Sequence, residues 1–264
     1  YFKKNRVYRS GEQTTNIWGC NYIHRDKIKM KKLLFTILVL VFTQNATAQF
    51  FNKERLTNLA TFDNKLLSWG YFLGFNNYDF NFDYIDENGY NETDINVEGQ
   101  TGFNVGLVGD LRINKFINLR LEPGLYFTQR NLIFPGLIEE KDFLREVKAT
   151  YIHIPLLLKI STKRLNNFKP FVLAGISTSI NLSSNEKNPD DNFQGEFRTT
   201  SNTNYYELGF GIDFYLFYFK FTPSIRGLFA TSNELVQDNS LGSPWTGNIS
   251  KMSTRAWVVN FTFQ

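Results

Sequence analysis

The sequence has little of the side-chain chemistry on which most enzymes depend. It contains one cysteine, Cys20, and of its two histidines only His153 lies beyond residue 48. Beyond residue 48, a disulfide framework, a thiol nucleophile and a histidine-rich metal site are therefore excluded. The marked apolar run, 33–42, is also too short for a membrane-spanning helix, which needs roughly 20 residues.

That short run belongs to an export signal. Met30 is followed by two lysines, the apolar run and the small-residue sequence Ala46-Thr47-Ala48. This pattern predicts a secretory signal peptide over 30–48, cleaved between Ala48 and Gln49. Residues 1–29 are expected to be upstream translation that is not part of the native protein. The exported chain then consists of a short periplasmic segment, 49–64, and one domain, 65–264.

The charge balance excludes nucleic acid as a partner. The whole chain has 29 Lys+Arg and 25 Asp+Glu, but beyond residue 48 the counts are 20 and 23, a net charge of −3. No basic surplus remains for phosphate binding. No Pro- or Ser-rich linker and no solenoid repeat divides residues 65–264, so a single domain is expected.

Eight segments have the composition and alternation of strands. They are 65–78, 101–113, 116–130, 147–161, 168–182, 204–215, 218–231 and 254–264. Several exceed the roughly 5 or 6 residues of ordinary strands and match the 9 to 11 that cross a bilayer when tilted. The connections alternate between long and short, which is typical of outer-membrane barrels. The sequence therefore predicts an all-β, eight-stranded, antiparallel up-and-down transmembrane barrel with short periplasmic turns and four long extracellular loops.

The facing pattern indicates which side of each strand is apolar. Arg120 and Glu122 share one face of 116–130, while Leu119, Leu121, Leu125 and Phe127 share the other. Glycines accompany the charged residues in other strands, as a narrow filled interior requires. We expect the charges inside and the apolar side chains against lipid. The alternative is a secreted lipocalin-like barrel or sandwich with the charges outside. Bulges or kinks are expected at Pro123, Pro155, Pro170 and Pro223.

The predicted interior contains charges of both signs in near balance. We expect them to pair as a plug rather than to line an ion path. This lumen charge network comprises Asp110, Arg112, Arg120, Glu122, Glu207, Asp213, Lys220 and Arg226.

Two features suggest chemistry only weakly. His153 is expected to be a hydrogen-bonded structural residue, with a Ser-His-Asp hydrolase site as the alternative. The acidic loop 79–100 is expected to be a solvated surface loop, with calcium binding as the alternative, although its spacing does not match a calcium-binding loop. No catalytic residue, metal, cofactor or small-molecule substrate is identified.

Two neighbouring stretches carry a family resemblance. "YIHIPLLLKIST" at 151–162 and "KPFVLAGISTSINL" at 169–182 resemble the PorT family of small outer-membrane barrels found in Bacteroidetes. The stretch "YYELGFGIDFYLFYFKFTPSIRGLF" at 205–229 looks more like PorT proper than like its generic relatives. The resemblance implies an integral outer-membrane protein needed for export by the type IX secretion system and for the associated gliding motility. It implies no catalytic residues.

Three hypotheses about function follow. The first is a non-enzymatic accessory barrel of type IX secretion, located in the outer membrane and acting through contacts with lipid and other secretion components. The second is a generic structural or adhesive small outer-membrane barrel. The third is an enzyme that uses His153.

Overall fold

The computed structural model describes residues 57–85, 95–135, 137, 139–240 and 242–264. The predictions for 1–29 and for the signal peptide 30–48, including its cleavage between Ala48 and Gln49, lie outside these residues. Of the predicted periplasmic segment 49–64, the part from residue 57 is described. In the acidic loop, residues 86–94 are not.

The described chain is almost entirely β-structure. It contains a four-residue helix, α1 (Glu140–Phe143), two single-turn 3-10 helices (Phe62–Asn64 and Asn192–Gln194) and ten strands. The strands are β1 (Leu67–Tyr84), β2 (Asn96–Gly99), β3 (Thr101–Arg112), β4 (Ile117–Leu121), β5 (Gly124–Ile133), β6 (Leu144–Ser161), β7 (Phe168–Asn181), β8 (Asn202–Tyr215), β9 (Lys220–Ala230) and β10 (Ile249–Phe263).

The strand pairings close into a ring. The order β1-β10-β9-β8-β7-β6 continues through β4 and β5, which both pair with β6 and with β3, and β3 pairs back to β1. Every pairing is antiparallel. With β4 and β5 counted as one interrupted strand, the ring has eight positions. Strand β2, which comes just before β3 in the chain, also pairs with β5, further along β5 than the residues that pair with β3.

The predicted strand over 116–130 is present but divided into β4 and β5. The strand divides at Glu122 and Pro123, and Pro155 lies in the neighbouring strand at the same level, between the stretches of β6 that pair with β4 and with β5. Proline has no N–H to donate, so the ladder cannot continue there. The Glu122 amide instead donates to the Pro155 carbonyl oxygen at 3.3 Å. The interruption expected at Pro123 is therefore confirmed, whereas Pro155 interrupts the pairing of β6 on this side only, since the β6–β7 register continues through Pro155↔Ser177 without a shift.

The other two prolines behave differently. The β8–β9 ladder is interrupted near Pro223, between Gly211↔Ser224 and Phe214↔Phe221, as expected. Pro170 pairs with Ile212 in an uninterrupted register, so the break expected there was wrong. Pro170 lies one residue before the β6–β7 ladder begins, where its missing N–H costs no rung of that ladder.

The charged residues point inward and the apolar residues outward along half of the wall. In β4 and β5, Arg120 and Glu122 are buried, whereas Leu121, Leu125 and Phe127 are exposed. In β1 the exposed side chains Tyr71, Leu73 and Phe75 alternate with buried ones. The predicted facing is confirmed, and the alternative with charges outside is wrong.

The facing inverts further along the same strands. Beyond Asn77 in β1, the outward side chains are polar, including Asp79 and Asp83, while Phe80 is buried inside. In β6, Glu146 and Lys148 are likewise exposed near one end, whereas Leu156 and Leu158 are exposed in the other half. The outward apolar band thus covers about five alternate residues per strand, which matches the roughly 9 to 11 residues that span a bilayer. Above the band, the barrel has the facing of a water-soluble protein.

The inversion explains an error at the long connections. Residues 79–84 were assigned to a solvated loop, but β1 continues to Tyr84, and β2 lies within the remainder of that loop. Strand β10 similarly begins at Ile249, within the predicted loop 232–253. Their outward residues become polar where the strands leave the apolar band, so the sequence resembles a loop although the alternation continues.

The described parts of the long connections lie together at one end of the barrel, called here the loop end, where they and the adjoining strand ends pack into an apolar cap. The cap consists of Phe80, Ile95, Leu132, Phe134, Val147, Phe197, Leu235, Trp245, Ile249 and Met252. Trp245 is 5% exposed and donates from Nε1 to the Asp142 carbonyl oxygen at 3.0 Å. The loop end is therefore closed by a hydrophobic core of its own.

Short turns form the opposite end, called here the turn end, and the described start of the chain lies against it. Arg164 contacts the Asp63 carboxylate at 3.2 Å and donates to the Asn58 carbonyl oxygen. The Tyr215 hydroxyl donates to Asp63 at 2.6 Å, and the Asn58 amide donates to the Asn167 side-chain oxygen at 2.9 Å. These contacts fix residues 58–63 at one side of the turn-end opening.

The interior between the two ends is filled. Phe72 lies over the paired glycines Gly106 and Gly124, where an added Cβ would come within 2.6 Å and 2.7 Å of its ring. Tyr78 and Tyr151 stack at 5.8 Å nearer the cap. Glycine on one strand therefore makes room for an aromatic ring from another, which is how a narrow barrel fills its own bore.

Candidate functional site

The predicted lumen charge network lies almost entirely inside the barrel. Seven of its eight side chains are at most 4% exposed: Asp110, Arg120, Glu122, Glu207, Asp213, Lys220 and Arg226. Arg112 is not brought together with them. It is only partly buried at the turn end, where its Nε donates to the Asn114 carbonyl oxygen at 3.4 Å.

The first of two interior clusters centres on Arg226 from β9. Its guanidinium contacts Glu122 at 3.0 Å and Glu207 at 3.2 Å, and it donates to the Tyr126 hydroxyl at 3.1 Å. The Arg120 Nε lies 2.5 Å from the second oxygen of Glu122. Two arginines and two glutamates, from the interrupted strand β4–β5 and from β8 and β9, thus neutralise one another across the bore. Removal of any one leaves the buried cluster with an unbalanced charge.

His153 joins this cluster from β6. Its Nε2 lies 2.8 Å from Glu207, and its Nδ1 lies 2.6 Å from the Ser179 hydroxyl. A serine, a histidine and a carboxylate in contact resemble the order of a hydrolase triad. All three are nevertheless no more than 1% exposed. A substrate cannot reach Ser179 through such packing, and the arrangement is that of a buried hydrogen-bond network.

The second cluster lies nearer the turn end and includes a residue that the sequence analysis missed. Lys159 from β6 contacts both oxygens of Asp213, at 2.7 Å and 2.9 Å. The Thr222 hydroxyl donates to the same carboxylate at 2.7 Å. The Lys220 Nζ is 3.7 Å from Asp110 and 4.7 Å from the Phe62 ring centroid. The alternation of Lys159 with Leu158 and Ile160 was the signal that could have placed it inside.

The sequence analysis also did not assign Arg130 to the interior, because Arg130 is the last residue of the predicted strand 116–130. It donates to the Tyr151 hydroxyl at 2.7 Å and to the Thr254 hydroxyl at 3.2 Å. Its guanidinium carbon also lies 3.8 Å from the centroid of the Phe80 ring. Arg130 thereby links the charged interior to the apolar cap.

A cavity of about 440 Å³ lies at the turn end, below the Lys159–Asp213 pair. Its lining includes Phe62 and Asp63 from the docked start of the chain, and the buried groups Asp110, Lys159, Asp213 and Lys220 at its inner wall. Eight of its lining residues are lysine or arginine and three are aspartate. This cavity, called here the turn-end mouth, therefore has a surplus of positive charge among its lining residues.

The described residues contain no group of three His, Cys, Asp or Glu side chains arranged to hold a metal ion. Of the acidic loop, Asp79 and Asp83 lie on β1 and Glu98 on β2, while Asp86, Glu87 and Asp94 lie outside the described residues. No helix among the described residues is long and apolar enough to cross a membrane.

Comparison with known families identifies a matching family. The sequence model described as "Outer membrane protein beta-barrel domain" matches residues 44–236, which is most of the chain. No curated protein matches the chain in sequence.

Solved structures of two barrels are similar to this chain at low identity. Ail, the attachment invasion locus protein of Yersinia pestis, solved in complex with the heparin analogue sucrose octasulfate, is 11% identical with a TM-score of 0.35, covering 74% of this chain and 96% of Ail. The outer membrane protein AlkL, solved by solid-state NMR in DMPC bilayers, is 10% identical with a TM-score of 0.38, covering 83% of this chain and 94% of AlkL.

Proposed function

This chain belongs to the outer membrane protein beta-barrel domain family, and from that premise we propose that it is a closed, non-enzymatic barrel that serves protein export by contacting other proteins. Its eight-position ring would cross the outer membrane with the loop end outside and the turn end in the periplasm, as such barrels are oriented. Membership of the family indicates an outer-membrane location. The role in type IX secretion is our proposal.

The observation that carries this proposal is the filled interior. Arg120, Glu122, Glu207 and Arg226 occupy the bore with ion pairs, and Phe72 and Tyr126 fill the space around them. The apolar cap closes the loop end as well. A barrel that is filled along its length has no path for a folded cargo protein. Any role in export must therefore be exerted through its outer surfaces.

The two ends differ in what they offer a partner. The loop end presents a folded cap, whereas the turn end has the open, positively charged mouth and the docked segment 58–63. Components of an export machine that lie in the periplasm can reach the turn end and the lower wall. Both regions support a partner-contact role better than a transport role.

The secretion assignment rests on the resemblance of 151–162, 169–182 and 205–229 to the PorT family. Two of these stretches form β6 and β7, and the third forms β8 and β9, so they supply four adjacent strands of the ring. The second candidate function is a generic structural or adhesive barrel, which the same fold also supports.

Deletion of the gene distinguishes the two functions. In a strain that lacks a second copy, we expect cargo proteins of type IX secretion to accumulate in the periplasm and gliding to stop, while other outer-membrane barrels assemble normally. The measurement is immunoblotting of cargo in periplasmic and medium fractions, with detergent sensitivity as the control for membrane integrity. Normal secretion and gliding in that strain would contradict the secretion role and leave the generic barrel.

A further inference from the structure

We propose that the turn-end mouth is a binding site for an acidic peptide segment of a periplasmic protein. This inference rests on the proposed function for the orientation of the turn end toward the periplasm. It adds the chemistry of the partner and the place where that partner binds. Three features of the mouth support this site: its surplus of positive charge, its closed inner wall and the position of its cations relative to the lipid-facing wall.

The aspartates of the mouth are already occupied by particular cations. Asp213 contacts Lys159 at 2.7 Å, and Asp110 lies 3.7 Å from Lys220. Asp63 contacts Arg164 at 3.2 Å and lies 4.0 Å from Lys169. The three carboxylates thus satisfy the cations that build the inner wall and hold the docked segment.

Four further cations have no such partner. Among the ion pairs between described residues, none includes Lys65, Arg112, Lys115 or Lys163, although all four line the mouth. Lys115 and Lys163 are on the turns and are exposed, and Arg112 is half-buried at the end of β3. Like charges gathered around one concave surface attract an anion more strongly than the same charges on a convex one. The unpaired set is therefore available to carboxylates that arrive from solution.

The shape of the mouth favours a short segment that stops inside it. About 440 Å³ holds a few side chains but not a folded domain. The Lys159–Asp213 pair and Lys220 close the inner wall, and all three are buried. A carboxylate that enters would meet Lys220 and Lys159 at the far side and could pass no further. The mouth is thus a receptacle rather than the entrance of a channel.

The position of the aromatic residues favours a peptide over lipid. Trp69, Phe217 and Tyr218 are 68%, 77% and 93% exposed at the same end of the barrel, on its outer side. Aromatic side chains at such positions mark the level of lipid headgroups. The cations of the mouth surround its opening instead: Arg112 lies at the end of β3, and Lys115 and Lys163 lie on the turns, around a cavity whose inner wall includes Lys159 and Lys220. Lipid phosphates line the wall, whereas a peptide from the periplasm can approach along the barrel axis.

The test uses the full exported chain, purified in a zwitterionic detergent, and fluorescence anisotropy of labelled hexaglutamate. We expect saturable binding that weakens as salt is added, since the ion pairs are partly exposed. The variant R112Q/K115Q/K163Q should bind at least about tenfold more weakly, from the loss of three partly exposed pairs. The matched variant K251Q/R255Q removes two cations from the polar upper half of β10 and should bind like the parent. A folded barrel resists detergent until it is boiled, because its backbone hydrogen bonds close on themselves, so a gel shift between unboiled and boiled samples shows that each variant is folded.

Several results would overturn the proposal. The first is the absence of saturable hexaglutamate binding. The second is a K251Q/R255Q variant that binds hexaglutamate as weakly as R112Q/K115Q/K163Q does. The third is binding of labelled hexalysine as tight as that of hexaglutamate. Displacement by inorganic phosphate at matched ionic strength would assign the mouth to small anions instead. Preferential binding of the parent over R112Q/K115Q/K163Q to phosphatidylglycerol vesicles would assign it to lipid. If hexaglutamate does not bind but the deletion strain has a secretion defect, the peptide site in the mouth alone is rejected. If hexaglutamate binds but secretion in the deletion strain is normal, the secretion role alone is rejected.

Discussion

Substitution of Arg226 by alanine is expected to lower the free energy of unfolding by about 3 to 5 kcal/mol, the usual cost of breaking a buried ion pair from one side. Arg226 neutralises two buried glutamates, Glu122 at 3.0 Å and Glu207 at 3.2 Å. Without it, the ion-pair partners left among the described residues are His153 for Glu207 and Arg120 for Glu122. The urea midpoint of the protein in detergent should fall strongly, and the folded band should be lost from unboiled gels at a lower temperature.

Two controls separate unpaired charge from loss of side-chain volume. The double variant R226M/E207Q keeps the interior occupied, removes the Arg226–Glu207 pair and leaves Glu122 paired with Arg120, and it should recover most of the lost stability. Arg255→Ala removes an arginine that is exposed on the outer surface of β10 and should change stability by less than about 1 kcal/mol. An Arg226→Ala protein as stable as its parent would contradict the paired interior.

Substitution of Trp245 by alanine is expected to open the cap, at a cost of about 3 to 5 kcal/mol for an aromatic side chain removed from a core. Trp245 is 5% exposed among the apolar cap residues, and the Arg145 guanidinium lies 5.2 Å from its ring. The loss should be confined to the loop end, because the wall below is held by strand pairing. Protease added to intact cells should then cleave the long connections while the barrel retains its gel shift.

The neighbouring ring provides a matched control. Phe193 contacts Trp245 edge to face at 5.0 Å but is 56% exposed. Phe193→Ala should therefore leave the loops nearly as protected as in the parent. Cleavage that is equal in the two variants, or absent in both, would show that the loop end is not closed by a packed core.

The sequence was sufficient to predict the strands where they lie inside the apolar band. There the outward side chains are apolar and the inward ones polar, so a period of two is visible in β1, β3, β8 and β10. The interruption at Pro123 was also foreseeable, since proline removes a rung of the ladder. The extension of β1 to Tyr84 was not foreseen. Above Asn77 the polarity of the two faces exchanges, and polar outward residues alone do not distinguish a strand in water from a loop.

The partners of the interior charges could not be predicted from the sequence. Lys159 and Asp213 are 54 residues apart, and so are His153 and Glu207. Each pair meets across β7, which lies between β6 and β8 in the ring. The facing pattern decides that a side chain points inward, but the stagger of the strands decides which charge lies at the same height. The facing pattern directs Arg112 inward, but Arg112 is the last residue of β3 and therefore lies at the mouth and not deeper in the bore.

Single-channel recording from the purified protein in planar lipid bilayers distinguishes a closed barrel, which acts through its surfaces, from an open pore. The ion pairs of Arg120, Glu122, Glu207 and Arg226 and the apolar cap lie in series along the bore. A closed barrel should give no stable conductance steps from folded protein at either polarity. Large, stable, reproducible steps from the wild-type barrel would contradict it.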